Sequence, residues 1–504
     1  MSKLKHYLPT VLKGSAVLGT VAAAAYFYRK DDTQKQHSIL RNFPLIGRIR
    51  YMTEQIGPEL RQYLFENNNE GTPFSRKEFE DVVKAGKYKE RLIGFGSERD
   101  FNEAGYYIRN SMFPNLREEL RIDNSQKINT KVYEVDEEGL LTRKEKREDR
   151  QIEPYFLRDE DAVIIGGDTC RNPFKLKGLV GQSAMSYGAL GENAITALSR
   201  GLGLAGGTWM NTGEGGLSKY HLSEQVKAFE IKLAQGAKIR GGHIEGQKVT
   251  EEIAQIRLVE PGQTINSPNR FYEFKNFNEL FEFVERMRDV GGKPIGIKIV
   301  VGDLDALEEM TKTMRDTGKG PDFITVDGGE GGTGATYQEL ADAVGLPIMS
   351  ALPLVDEMLK KYGVRNRVKL IASGKLTSPD KVAVALAMGA DLVNIARGFM
   401  ISVGCIMAEI CHTNHCPAGV ATTDSKLQDG LVIEEKQYRV ANYVISLREG
   451  LFNLAAAAGI DTPTKFERKH IVHKDEWGRV SPVRDITLTP EKVEKLRNKE
   501  KVEK

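Results

Sequence analysis

From Leu179 onward the chain repeats one unit: a short apolar run, a glycine or polar cluster, then a stretch with helical spacing. That is the pattern of parallel β/α units, because a parallel strand needs a crossover, usually a helix, to bring the chain back to the same edge. Seven strands are expected: Leu179–Met185, Leu204–Asn211, Phe229–Leu233, Ile295–Val301, Phe323–Asp327, Lys369–Ser373 and Asp391–Ala396. Each runs into residues able to do chemistry: Ser186, Tyr187 and Gly188; Asn211 to Gly216, with Glu214; Gln235 to Lys238; Gly302; Gly328 to Gly334; Gly374 and Lys375; Arg397 and Gly398. In a barrel of parallel strands such residues meet at the C-terminal ends. The expected fold class is therefore α/β, a (β/α)8-type TIM barrel.

The segment Gly404–Val420, GCIMAEICHTNHCPAGV, holds Cys405, Cys411 and Cys416, three of only four cysteines in 504 residues. Their spacing, closed by Pro417, matches neither the C-x2-C pairs of a zinc ribbon nor a helical i, i+4 metal pair. A thiolate-rich loop ending in proline suits an iron–sulfur cluster, and three thiolates suit a 3Fe-4S cluster. The plainer alternative is three buried cysteines acting as small hydrophobes. Cys170 lies far from this loop and reads as a structural thiol. Few cysteines, three of them in one loop, argue for a reducing compartment over a disulfide scaffold.

The cysteine loop calls for a group that handles electrons, and the strand-end loops suit one that carries a phosphate. The loops after the last strands, Ser373, Gly374 and Lys375, then Arg397 and Gly398, lie where barrels bind phosphate. The run Asp327–Ala335, with Gly328, Gly329, Thr333 and Gly334, adds backbone N–H groups for an anion. FMN is the expected cofactor.

A formal net charge of +2 gives no field to draw in nucleic acid. The apolar run Gly14–Tyr28, preceded by Lys13 and ending in Tyr26, Phe27 and Tyr28, reads as a single-pass membrane anchor within residues 1–30. A cleaved signal peptide is the alternative. The expected location is the cell membrane with the catalytic part in the cytoplasm. Residues 31–150 read as a charged helical region, with Ile122 to Arg150 as an exposed hairpin or linker. Residues 151–460 read as the barrel with its iron–sulfur loop, and residues 461–504 as a charged tail.

The ordered motifs AMSYGAL, NTGEGG, EIKLAQGAK, DGGEGGTGA and the cysteine loop, between about Arg41 and Thr422, resemble the FMN-binding synthase domain of glutamate synthase. The similarity is strongest to the shorter, membrane-anchored FMN-binding glutamate synthase family proteins. It implies FMN, a 3Fe-4S cluster, and reduction of 2-iminoglutarate, formed from 2-oxoglutarate and ammonia, to L-glutamate. It places Glu214, Gln235, Lys238 and Arg257 on the oxoacid side and Lys298 beside the flavin. Ser186 and Tyr187 fall among the cofactor-binding positions.

The chain also departs from that family. It has no N-terminal cysteine nucleophile and no G-x-G-x-x-G unit for a nicotinamide cofactor, so nitrogen and electrons are expected from outside, the latter from a ferredoxin or a reductase subunit. The quick passage from Lys219 to Glu230 reads as one missing β/α unit, and Pro268, Asn269 and Arg270 replace a proline–histidine run. Two other readings stay open: an FMN oxidoreductase acting on another oxo or amino acid, and a catalytically impaired redox or scaffold protein.

Overall fold

The computed structural model describes residues 19–88, 92–138, 143–214, 224–236, 238, 241–486, 489 and 492. The chain divides into two compact units, Met1–Lys77 and Glu78–Lys504.

In the first unit a helix over residues 19–33 precedes helices Ser38–Asn42 and Gly47–Leu60. The buried Asp31 carboxylate accepts from Arg48 Nε at 2.8 Å and from the Leu45 N–H at 3.0 Å, so the charged end of the first helix is tied to the start of the third. The expected anchor, and the membrane location that rested on it, are corrected here. No described helix is long and apolar enough to cross a membrane, and residues 14–18 of the apolar run lie outside the described residues. The physical reason is length, since a span needs about 20 apolar residues and this helix turns charged at Arg29.

The second unit begins with helix Arg76–Gly86, whose first two residues belong to the first unit, and then turns to strands. The charged segment from Ile122 to Arg150, read from the sequence as an exposed hairpin or linker, contains most of an antiparallel hairpin, Ile128–Glu138 with Arg143–Ile152. Opposite charges face each other across it, as in Lys131 with Asp149, which favours the pairing. Asn442 anchors the hairpin, accepting from the Thr130 hydroxyl at 2.7 Å and donating to the Lys131 carbonyl at 2.8 Å.

The core is a six-stranded parallel sheet of β1 (Val180–Gln182), β2 (Phe229–Lys232), β3 (Ile295–Ile299), β4 (Phe323–Asp327), β5 (Lys369–Ser373) and β6 (Leu392–Ile395). The strand order is β1-β6-β5-β4-β3-β2. Ile295, Ile297, Ile324, Val326, Leu370, Leu392 and Val393 have no exposed surface, as expected of strands covered on both faces. Crossover helices include α1 (Glu192–Ala205), α2 (Glu251–Arg257), α3 (Phe277–Gly291), α4 (Leu304–Thr317), α5 (Ile348–Lys361) and α6 (Pro379–Ala387), with α7 (Arg397–Ser402) after β6. The long α8 (Ile433–Ala457) packs along α1. Its buried Arg448 donates to the Ala205 and Gly206 carbonyls, closing the C-terminal end of α1.

The α/β class is as expected, but the described residues form a curled half-barrel and not a closed eightfold barrel. The strand expected over Leu204–Asn211 shrinks to one parallel bridge, Gln182 to Met210. The cause is local: Gly206 and Gly207 both sit at positive φ, near +59° and +57°, a conformation that cannot continue a strand. The Trp209 indole then lies over Gly181, where an added Cβ would stand 2.2 Å from the ring, and donates to Asn394 Oδ1 at 2.8 Å.

Between Asn211 and β2 no ladder bonds are made among the described residues; a side-chain seam stands in their place. Asn211 Nδ2 donates to Glu230 Oε2 at 2.9 Å, and the buried Thr325 hydroxyl donates to Glu230 Oε1. Glu230→Ala should therefore lower stability to urea by about 1–3 kcal/mol, the cost of leaving buried polar groups unpaired. A change under about 0.5 kcal/mol, the size typical of surface substitutions, would show that the seam carries no weight.

Candidate active site

The C-terminal edge of the sheet collects the first group of residues through three turns. Asn211 Oδ1 accepts from the Gly213 N–H at 2.9 Å and so shapes the turn that carries Glu214. Gly213 has φ near +62°, and a Cβ there would lie 2.6 Å from Ser186 Oγ, so the position requires glycine. Ser186 Oγ accepts from the Glu214 N–H at 3.2 Å, and the Glu214 carboxylate pairs with Lys232. Gln235 and Lys238 exchange backbone bonds at 3.2 and 2.8 Å. The Gly236 N–H between them donates to Asp327 Oδ2 at 3.0 Å, fixing this turn to the end of β4.

Lys232, Lys238 and Arg257 gather around Glu214, and Lys298 lies in reach of Lys238. Burial pulls the Lys238 ammonium down to about 8, and the neighbouring Lys232, Arg257 and Lys298 add to the effect against Glu214. Burial pushes the Glu214 carboxyl up, but Lys232, Lys238 and Arg257 outweigh it and hold the group below its ordinary value. Arg257 ends α2, whose start is capped by Thr250 accepting from the Ile253 N–H. Its Nε and one terminal nitrogen are buried with no hydrogen-bond partner. Buried guanidinium nitrogens with open donors are costly, and an anion is the partner that would satisfy them. Lys298, only 1% exposed, extends from β3.

Sequence reasoning missed Lys232. The signal was there: Glu230 and Lys232 alternate with apolar Phe229 and Ile231, which puts both polar side chains on one strand face. Tyr187 hydrogen-bonds Glu252 on α2 at 3.0 Å, on the Arg257 side of the site. Asn269 and Arg270 are exposed.

A second cluster lies at the ends of β4, β5 and β6. The Gly328 N–H donates to the Ser373 carbonyl and the Gly329 N–H to the Leu346 carbonyl, both at 2.8 Å. The Glu330 carboxylate accepts from the Ile348 N–H at the start of α5, and burial raises its pKa. Arg397 donates to the Glu330 carbonyl at 2.8 Å, and burial lowers the pKa of both Arg397 and Lys375.

A Cβ on Gly328 would fall 2.7 Å from the Ile348 N, on Gly332 2.7 Å from Arg397, and on Gly374 3.0 Å from Ile348. Gly398 sits 2.4 Å, by the same measure, from the buried Tyr443 hydroxyl, which donates to the Thr377 carbonyl. A glycine-lined cradle with two desolvated cations suits a phosphate. Thr333 and Gly334 carry this loop onward, and Gly334 abuts Cys411, with a Cβ there 3.2 Å from the Cys411 Cβ.

Cys405 and Cys411 are half-buried and Cys416 is buried. Burial pushes the Cys405 thiol up to about 11, and Cys411 and Cys416 add to it, so the three thiols feel one another. The loop is strained: Met407, Glu409 and Asn414 all take positive φ. Among the described residues no group of three His, Cys, Asp or Glu side chains is drawn together tightly enough for a single metal ion. The three thiols, within electrostatic reach of one another on one loop, are soft donors.

Lys248, also missed from the sequence, is buried against this loop. Burial lowers its pKa, opposed by Cys411 and Cys416. Cys170 is elsewhere: its thiol donates to Asp322, which precedes β4 at the opposite end of the sheet.

A family model described as the conserved region in glutamate synthase matches residues 115–227 and 222–461. The chain belongs to the glutamate synthase family. Glutamate synthase large subunit-like protein YerD of Bacillus subtilis (strain 168) is 59% identical over 490 residues, 90% of this chain and 93% of that protein. The Archaeal-type glutamate synthase (NADPH) of Thermotoga sp. (strain RQ2) is 32% identical over 349 residues, 62% of this chain and 68% of that protein. Among solved structures, a flavocytochrome b2 variant with sulfite bound covers 93% of both chains at 10% identity and a TM-score of 0.40, too slight a likeness to argue from. Membership makes the chain one of an oxidoreductase family.

Two outcomes are expected of this geometry. Gly328→Ala should weaken flavin retention by about the 1–3 kcal/mol that over-packing costs, roughly 5- to 150-fold, measured as flavin released on heating. Cys416→Ser should lose iron yet keep flavin, since the cradle and the loop use different groups. Full iron in Cys416→Ser would contradict the second assignment.

Proposed function

We propose that the chain is a flavin- and iron–sulfur-dependent oxidoreductase of glutamate synthase type. It forms L-glutamate by reducing 2-iminoglutarate, made from 2-oxoglutarate and external ammonia, with electrons from a ferredoxin or a reductase subunit. The observation that carries this reading is Arg257, buried with open donors beside Lys238, Lys232 and Lys298. Four cations outnumber the carboxylates Glu214 and Glu230 at this edge, and the surplus positive charge suits an oxo diacid better than a monoanion.

FMN in the glycine cradle would supply the two-electron reduction, and a 3Fe-4S cluster on Cys405, Cys411 and Cys416 the relay of single electrons toward it. The chain's residues do the rest. Gly328, Gly329, Thr333, Gly334, Ser373, Gly374, Lys375, Arg397 and Gly398 hold the phosphate end, while Ser186 and Tyr187 meet the cofactor from the loop beside Glu214 and Glu252. Lys298 would place a positive charge near a bound flavin and so favour an anionic reduced form of it. Arg257 and Lys238 bind and orient the substrate carboxylates, with Gln235 on the same turn. Glu214, held ionised by its cationic neighbours, accepts hydrogen bonds from the ammonia or imine nitrogen. Lys238 Nζ, poised at about 8, both holds and releases a proton near neutral pH, and is the donor to the substrate.

Calorimetric binding of 2-oxoglutarate tests this. Arg257→Leu should weaken it by about 10- to 100-fold, the worth of a charged hydrogen bond. Unchanged binding would defeat the reading. Binding to the native chain should also fall as pH rises through about 8, because Lys238 then loses the charge that attracts the dianion. Lys238→Arg, which stays charged, should abolish that inflection.

A further inference from the structure

We infer that Lys248 is a positioning residue for the cysteine loop and the fixed positive charge beside the cluster that the loop holds, an inference resting on the cluster reading above. Lys248 closes the turn Gly246–Lys248 just before the Thr250 cap of α2 and is only 5% exposed. Its ammonium donates to the Cys411 carbonyl at 2.5 Å, the Ala421 carbonyl at 3.2 Å and the Ala189 carbonyl at 3.5 Å. These acceptors belong to three separate segments: the cysteine loop, the chain leaving it, and the loop after β1. Three acceptors match the three N–H bonds of a charged ammonium.

No described carboxylate pairs with Lys248, and the titratable groups that act on it are Cys411 and Cys416. A buried cation without an anion is costly, and carbonyl dipoles repay only part of that cost. Thiolates ligating a cluster would supply the missing negative charge. The adjoining Asn414, held at φ near +67°, reaches back to the Gln247 carbonyl at 3.5 Å, so the same turn braces the loop at a second point. A positive charge this close stabilises the more negative, reduced form of the cluster, and removing it should move the midpoint potential downward.

The test uses the full chain, prepared anaerobically, with Lys248→Gln, Lys248→Met and Lys248→Arg. Iron and sulfide content, the electron paramagnetic resonance signal of the oxidised cluster and its midpoint potential are read together. Thermal melting is measured on cluster-bound and chelator-stripped protein. Gln and Met should hold less iron and, in the fraction that keeps it, show a more negative potential, while Arg returns both toward native. The stripped forms should melt near the native stripped chain.

Native iron and native potential in both Gln and Met would overturn the inference. So would an equal fall in melting of the bound and stripped forms at unchanged potential, since that marks a folding role alone. A native chain that takes up no iron would overturn both this inference and the cluster reading, whereas iron uptake with an unmoved potential overturns this inference only.

Discussion

The two ends of the parallel sheet treat buried charge in opposite ways, and the rest of the structure depends on that difference. At the N-terminal end the buried carboxylates Asp322 and Asp356 are paired with cations. Asp322 accepts from Arg288 Nε at 3.0 Å and from the Ile295 N–H at 2.8 Å, and Asp356 takes Arg365, Arg468 and Lys360. These networks close on themselves and hold the helices to the sheet. At the C-terminal end Arg257, Lys238 and Lys298 are buried with too few anions, and Lys248 is buried with none beyond the thiols. Desolvated cations left unpaired cost several kcal/mol each, so a rigid frame must hold them apart from better partners. The ladder from β1 to β2 and the close glycine contacts at Gly236, Gly328 and Gly374 supply that rigidity.

Much of this frame was legible in the sequence because strands buried on both faces leave a plain mark. Phe323–Asp327 and Lys369–Ser373 match their expected bounds, and β3 and β6 differ by one or two residues at an end. Leu204–Asn211 was misread because its apolar residues belong partly to the end of α1 and partly to a tryptophan packed on Gly181, with two glycines at positive φ between. Within the charged region before residue 150, Ile122 to Arg150 was read as an exposed hairpin or linker from its charge content, and the strands Ile128–Glu138 and Arg143–Ile152 pair there. The apolar N-terminal run was read by composition, but its described helix becomes charged too soon to span a membrane.

The site was legible where glycines and cysteines announce a loop, and less so where a lysine does its work from inside. Lys232 lies one strand period from Glu230, and recognising it required knowing which face of β2 points inward. Lys248 has no motif: its burial follows from where α2 starts relative to the cysteine loop, a tertiary fact. The adjacency of Gly334 and Cys411 likewise comes from packing of two loops 77 positions apart in sequence, and it brings the phosphate cradle and the thiols into one assembly.

If the C-terminal edge of the sheet reduces an oxo diacid in the presence of ammonia, a reduced flavin held there must pass its electrons to that pair and to no simpler acceptor. The most direct measurement is anaerobic: reduce the flavin with dithionite, remove the excess, and follow its reoxidation on adding 2-oxoglutarate with isotopically labelled ammonium. Reoxidation that requires both additions, with the label recovered in L-glutamate, is the expected result. A reduced flavin that stays reduced with this pair, or that reoxidises equally with a monocarboxylic 2-oxoacid, would contradict the proposed chemistry.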